Sequence, residues 1–225
     1  MNVKAVVFDL DGTLLDTLAD LKNATNHALG TVGRRALGTD EVRRFVGNGV
    51  PKLIERALAH TQSDGAPSDD AAVGECLASF TEYYDAHNAD NTAPYDGITE
   101  MLAELKTRGI KTAIVTNKYD GAAQALKSEF FNSVDIAVGT SDRIRPKPAT
   151  DGVELALKAL GADRSCAVYV GDGETDMQTA AACGLAAVAV GWGFRDRALL
   201  ETFAPYAVID SPRELVCVLD ALERE

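Results

Sequence analysis

Apolar and polar positions change their period several times along the chain, and each change marks an element. A short apolar run, Val3-Lys4-Ala5-Val6-Val7-Phe8, reads as a buried strand and empties into Asp9-Leu10-Asp11-Gly12-Thr13. Leu14, Leu18, Leu21, Ala28 and Leu29 then recur at helical spacing, so about 16 to 29 reads as an amphipathic helix ended by Gly30 and Gly33. A short helix is predicted over Asp40 to Val46. Gly47-Asn48-Gly49 then breaks the chain sharply, and Pro51 suits the first position of a helix presenting Leu53, Ile54, Ala57 and Leu58. After a polar loop around Ser63 to Ser68, Val73, Cys76, Leu77, Phe80 and Tyr84 mark another helix. Between about 16 and 90 nothing reads convincingly as a strand, so this stretch is an all-helical insert.

From Asp90 the texture alternates. Ile98, Met101, Leu102 and Leu105 mark a helix closed by Gly109, and Lys111 to Val115 reads as a strand ending in Thr116-Asn117-Lys118. Helices over about 120–129, 151–160 and 174–183 alternate with strands at Asp135–Val138, Ala167–Val170 and Ala186–Val190. Such a βαβ rhythm predicts an α/β fold, a Rossmann-like parallel sheet with helices on both faces. A short strand at Ala207–Ile209 and a helix from Ser211 close the chain, with Ser211, Pro212 and Glu214 spaced as a capping box. The expected division is a core of 1–15 and 91–225 with a helical domain of 16–90.

Composition narrows the possibilities. In 225 residues, 46% apolar and 25% charged, the balance is that of an ordinary globular protein. A net charge of −12 argues against a nucleic-acid partner yet admits a small anionic substrate, because a few cations and a metal can reverse the potential locally. The four cysteines show no CxxC spacing, which predicts reduced thiols and a cytoplasmic protein. No signal peptide is recognisable, and no apolar run approaches the ~18 residues of a membrane span.

The candidate chemistry sits at strand ends: Asp9 and Asp11, Thr116 and Asn117, then Gly171-Asp172-Gly173-Glu174-Thr175-Asp176, with Lys147 held between Pro146 and Pro148. Taken singly, each has a plainer explanation. The two aspartates could cap a turn, and Lys147 could be a surface lysine. Asp176 stands where a GxGxxG dinucleotide fingerprint needs its last glycine. Jointly, strand ends of a parallel sheet converge on one edge, and clustered carboxylates there repel unless a cation sits among them. Hard oxygen ligands without His or Cys favour Mg²⁺ over zinc, while a lysine and amide donors favour an anion. Together they describe phosphoryl transfer.

In these residues the chain resembles the haloacid dehalogenase superfamily of phosphohydrolases over nearly its whole length. Its helical insert resembles the C1-type cap of the phosphoglycolate phosphatase-like branch, with Arg43-Arg44-Phe45-Val46-Gly47-Asn48-Gly49 and Thr116-Asn117-Lys118 especially similar. Gly173 departs from the pattern, since relatives often carry a hydroxyl residue there. The resemblance implies Asp9 as nucleophile and Asp11 as the acid and base. It implies Mg²⁺ held by the Asp9 and Asp172 carboxylates and the Asp11 backbone carbonyl, with Asp176 orienting the ligands. Thr116, Asn117 and Lys147 would bind phosphoryl oxygens, with Gly12 permitting close backbone approach. In the cap, Gly47, Asn48 and Gly49, helped by Arg43 or Arg44, would contact the substrate's remaining groups, unless that loop is a plain interhelical turn.

The expected activity is hydrolysis of a small phosphorylated metabolite, 2-phosphoglycolate or one like it, by a monomer or homodimer. A phosphosugar mutase would reuse the same core, and a catalytically silent scaffold would need these intact aspartates for nothing. A dehalogenase would need neither a metal nor an acid at Asp11.

Overall fold

The computed structural model describes residues 1–62 and 70–224, so the polar loop expected at Ser63 to Ser68 lies outside the described residues. In chain order, β1 (Ala5–Phe8) and β2 (Leu15–Asp16) precede α1 (Leu18–Thr31), α2 (Thr39–Phe45), α3 (Val50–Thr61) and α4 (Asp70–His87). The chain returns through β3 (Ala93–Pro94), α5 (Ile98–Thr107), β4 (Lys111–Tyr119), α6 (Asp120–Phe130), β5 (Ile136–Thr140) and α7 (Asp151–Leu160). A 3-10 turn at Arg164–Cys166 leads into β6 (Ala167–Gly171), α8 (Glu174–Cys183), β7 (Ala186–Val190), α9 (Arg197–Glu201), β8 (Ala207–Ile209) and α10 (Glu214–Arg224). It divides into two compact units, Met1–Asp16 with Pro94–Glu225, and Thr17–Ala93.

In the first unit the described strands form a six-stranded sheet in the order β5-β4-β1-β6-β7-β8, and every neighbouring pair is parallel. β1 is central and buried along its whole length, as an unbroken apolar run in a parallel sheet requires. Val6 and Phe8 point to one face, where α5 and α10 bring Met101, Leu102, Leu105, Leu215 and Leu219. Ala5 and Val7 point to the other, against Val153, Ala156 and Leu160 of α7 and Ala180 of α8. Sequential strands run outward from β1 on one side, and the chain then crosses to place β6 on the other. That reversal of direction opens a crevice at the carboxyl ends of β1 and β6. Register sharpens it, because Phe8 lies level with Ile114 and Val170, so Asp9 emerges where β6 is about to end.

Two expectations need correction. The last helix begins at Glu214 and not at Ser211. Glu214 N–H donates to Ser211 O and Leu215 N–H to Pro212 O, i to i+3 bonds that wind a tight turn ahead of the helix. β4 does not stop at Val115. It continues as a buried strand to Tyr119, carrying Thr116, Asn117 and Lys118 with it. α9 and the 3-10 turn had no apolar periodicity long enough to reveal them.

In the second unit α1 packs on α4, burying Leu21, Ala24, Ala28, Cys76 and Phe80, and α3 adds Leu53, Ile54 and Ala57. Asp20 is buried there too, at 2% exposure. Its carboxylate accepts from Asn91 N (2.9 Å), Asn91 Nδ2 (2.7 Å) and Thr92 Oγ1 (2.8 Å), all neutral donors. The first turn of α1 is thereby tied to the segment that leaves the unit. Replacing Asp20 with Ala strands those donors, and hydrogen bonds to a charged group contribute about 1.5–3 kcal/mol. Asp20→Ala should therefore lower urea-unfolding stability by about 3 kcal/mol, and a loss under about 0.5 kcal/mol would show that the carboxylate is dispensable.

Candidate active site

Asp9 N–H donates to Val170 O at 2.9 Å, carrying the ladder one residue past β1 and fixing where the side chain emerges. Asp9 Oδ1 stands 2.8 Å from Lys147 Nζ, off the line of a hydrogen bond, and this buried oxygen accepts none among the described residues. Lys147 Nζ also meets Asp176 Oδ1 at 2.6 Å. The lysine is placed from its backbone: Lys147 N–H donates to Asn117 Oδ1 (2.6 Å), and Asn117 Nδ2 donates back to Lys147 O (3.2 Å). Both ends of the Asn117 amide thus meet the Lys147 backbone. Thr116 Oγ1 accepts from Lys118 N–H at 3.2 Å, which leaves its own proton for another acceptor.

Asp176 sits in the first turn of α8. Its Oδ1 accepts from Lys147 and from Tyr169 OH (3.1 Å), and its Oδ2 from Gly173 N–H (2.9 Å). Gly173 thus caps the helix through its backbone, where the sequence raised the lack of a hydroxyl. Asp172 lies opposite, its Oδ1 accepting from Thr13 Oγ1 (3.2 Å) and its Oδ2 from Phe194 N–H (2.6 Å). The backbone closes around it: Gly12, at φ 84°, has no room for a Cβ, which would overlap the Asp172 carboxylate.

Asp9, Asp172 and Asp176 each offer an oxygen, all within 4.8 Å of one another. Burial, then the Asp176 charge, pushes the Asp9 carboxyl well above the usual range, with Lys147 acting against them. The same two causes push Asp172 up to about 7. Burial also acts to strip the Lys147 proton, but Asp176 and Asp9 outweigh it and hold the ammonium charged. A surplus of carboxylates and an all-oxygen donor set fit a hard divalent cation. Asp176, saturated by its own hydrogen bonds, is the least available of the three as a direct ligand.

Asp11 points elsewhere, its Oδ1 3.1 Å from the buried ammonium of Lys118. The sequence reading left Lys118 out of the site, although a lysine at the end of a buried strand was signal enough. It also missed Tyr169, whose hydroxyl is invisible within an apolar run, and the Gly191–Phe194 loop. That loop follows β7, so the strand-end rule that found the others applied there as well. Arg43, Gly47, Asn48 and Gly49 belong to the second unit. Arg43 makes an exposed 3.7 Å pair with Asp40, and Gly49 caps α3. Arg56 Nη1 donates to Phe45 O (2.7 Å) and Nη2 to Asn48 Oδ1 (2.8 Å), bracing that loop from α3.

A parallel α/β sheet whose strand ends gather three aspartates, a buried lysine and a threonine defines a hydrolase core, and residues 6–190 match the haloacid dehalogenase-like hydrolase family. The chain belongs to that family. It is 35% identical over 218 residues to the phosphoglycolate phosphatase of Pseudomonas syringae pv. syringae, covering 95% of this chain and 78% of that one. The phosphoglycolate phosphatase of Caulobacter vibrioides is 36% identical over 216 residues, 94% and 88% of the two chains. Among solved structures, a protein from Lactobacillus delbrueckii subsp. bulgaricus, proposed to be a phosphoglycolate phosphatase, superposes with a TM-score of 0.90 at 36% identity, covering 96% and 97%. CbbY from Rhodobacter sphaeroides in complex with phosphate superposes at 0.79 with 27% identity, covering 97% and 99%. Among the described residues no helix is long and apolar enough to cross a membrane.

The raised carboxyls have a thermodynamic consequence. With Asp172 at about 7 when folded and about 3.9 when unfolded, the metal-free folded chain binds more protons between those values. Stability in chelator should therefore fall as pH rises from about 4 to about 7. Asp172→Asn should flatten that slope and melt above wild type at pH 7 in EDTA. Equal melting temperatures would refute the electrostatic strain.

Proposed function

We propose that this chain is a Mg²⁺-dependent phosphatase of small phosphomonoesters, 2-phosphoglycolate or a metabolite like it, working through an aspartyl-phosphate. The observation that carries the proposal is Asp9: a buried carboxylate at the sheet's switch point, 2.8 Å from the Lys147 ammonium and gathered with Asp172 and Asp176 within 4.8 Å. A carboxylate so placed can attack phosphorus with a cation beside it to receive phosphoryl oxygens.

Asp9 attacks phosphorus while Asp11 gives its proton to the departing alkoxide oxygen, leaving an acyl phosphate on Asp9 and a free alcohol. Asp11, now a carboxylate, takes a proton from the water that attacks the same phosphorus. Inorganic phosphate departs and both aspartates are restored. Lys147 and the Thr116 hydroxyl hold the phosphoryl oxygens as charge spreads over them, and Asn117 acts through Lys147. When bound by the Asp9 and Asp172 carboxylates and the Asp11 carbonyl, Mg²⁺ supplies positive charge that offsets repulsion between the nucleophile and the phosphoryl group.

For the substrate, the support comes from curated relatives named phosphoglycolate phosphatase at 35–36% identity. In the second unit, the Gly47-Asn48-Gly49 loop and Arg43 would recognise the group left behind once phosphate departs, with Arg56 holding the loop in shape.

Two measurements test this. Purified protein with Mg²⁺ should release phosphate from a generic aryl phosphate and from one or more phosphorylated metabolites in a panel including 2-phosphoglycolate. Asp9→Asn should lower kcat by about 10⁴-fold or more, the scale of losing a nucleophile. Failure of wild type on every phosphomonoester would reject the proposal. Arg56→Ala should raise KM for the preferred metabolite about tenfold, the loss of about 1.4 kcal/mol of binding, with aryl phosphate kinetics little changed. Parallel losses on both substrates would mean that Arg56 only stabilises the fold.

A further inference from the structure

The Gly191–Phe194 segment after β7 takes no part in the chemistry above, yet it reaches Asp172 from two directions. Phe194 N–H donates to Asp172 Oδ2 at 2.6 Å. Trp192 Nε1–H donates to Thr13 O at 3.0 Å, and Thr13 Oγ1–H donates to Asp172 Oδ1 at 3.2 Å. The three bonds and the intervening chain close a ring that runs from Asp172 through Phe194, Trp192 and Thr13 back to Asp172. Both carboxylate oxygens are therefore held, each by one donor, and the carboxylate cannot turn without breaking a member of the ring. Gly193 lies inside it, with no room for a Cβ against Asp172 and the Gly12 carbonyl. The segment is itself anchored, since Gly191 N–H donates to Ile209 O at 2.8 Å and Arg195 pairs with Glu174 at 2.8 Å. The indole packs against the sheet core, with Tyr95 near it at 6.5 Å between centroids.

We infer that Trp192 is a positioning residue for the cation site: its indole N–H locks the ring that aims the Asp172 carboxylate at the metal. It rests on the reading of the acidic cluster as a Mg²⁺ site. Groups that orient a ligating carboxylate cost about 10- to 100-fold in metal affinity when lost. Trp192 is also the only tryptophan in the chain, so its emission reports on this ring alone.

Metal binding without substrate provides the test. In wild type, Trp192 emission should change on Mg²⁺ titration, with a midpoint equal to the calorimetric Kd, and Asp172→Asn should abolish both signals. Trp192→Phe keeps an aromatic ring at the position and deletes the N–H. It should raise the calorimetric Kd for Mg²⁺ at least about tenfold, while the melting temperature in EDTA stays within a few degrees of wild type. A Kd within twofold of wild type, or wild-type emission unmoved at saturating Mg²⁺, would overturn the inference. If Trp192→Phe does not fold, the opposite side of the ring decides: Thr13→Ser should retain affinity and Thr13→Val lose it, and equal affinities overturn the inference. A wild type that binds no Mg²⁺ at all removes the metal site and the ring's role with it. Retained Mg²⁺ binding without hydrolysis would instead reject only the phosphatase proposal.

Discussion

Three carboxylates confined within 4.8 Å, with one ammonium between two of them, are the constraint on which the catalytic unit depends. Two like charges about 4 Å apart repel by about 4 kcal/mol at a typical effective dielectric. A fold does not place them so without something to offset the cost. Here the offsets are specific. Asp176 is quenched by Lys147, Tyr169 and Gly173, and Asp172 by Thr13 and Phe194, while Asp9 has only the shared Lys147 ammonium and its carboxyl is still pushed well above the usual range. The strain is concentrated on the residue proposed to attack.

The sheet makes this arrangement reachable. Because β1, β4 and β6 stay in register, residues more than a hundred positions apart leave the sheet at the same level. Positioning is then delegated outward: Asn117 holds the Lys147 backbone, Gly173 holds Asp176, and the loop after β7 holds Asp172. Lys147, Asp176 and Asp172 are each aimed in part by a neutral neighbour. Such preorganisation lets the site meet developing charge without reorganising at the moment of reaction.

Much of this was legible in the sequence because buried parallel strands are apolar runs with polar ends, and a polar cluster at such an end has few purposes. Asp9, Asp172 and Asp176 stood out on that ground, and Lys147 by its two flanking prolines and their company. What stayed hidden depends on direction. Nothing in the string distinguishes an Asn117 amide that meets a phosphate from one that clamps a backbone, and Tyr169 reads as one more apolar residue of β6. Lys118 was obscured by an early strand end: once β4 is cut at Val115, a buried lysine becomes a loop residue. Ser211 shows the opposite error, where capping residues at the right spacing wind a 3-10 turn because the helix starts later.

Asp20 and Asp9 show why burial alone does not identify a working carboxylate. Both are nearly inaccessible, at 2% and 8% exposure. Asp20 receives neutral donors on both oxygens and so holds two segments together in the manner of a structural group. Asp9 instead meets charges, the Lys147 ammonium at 2.8 Å and the Asp172 and Asp176 carboxylates within 4.8 Å. Burying a carboxylate beside others costs free energy even with a lysine at hand. A protein held together by about 5–15 kcal/mol keeps such a group only where another gain offsets it. Binding a cation and a phosphoryl group would supply that gain. The two aspartates therefore differ in the company they keep, neutral donors for Asp20 and other charges for Asp9, which is the contrast expected between a structural carboxylate and the nucleophile proposed above.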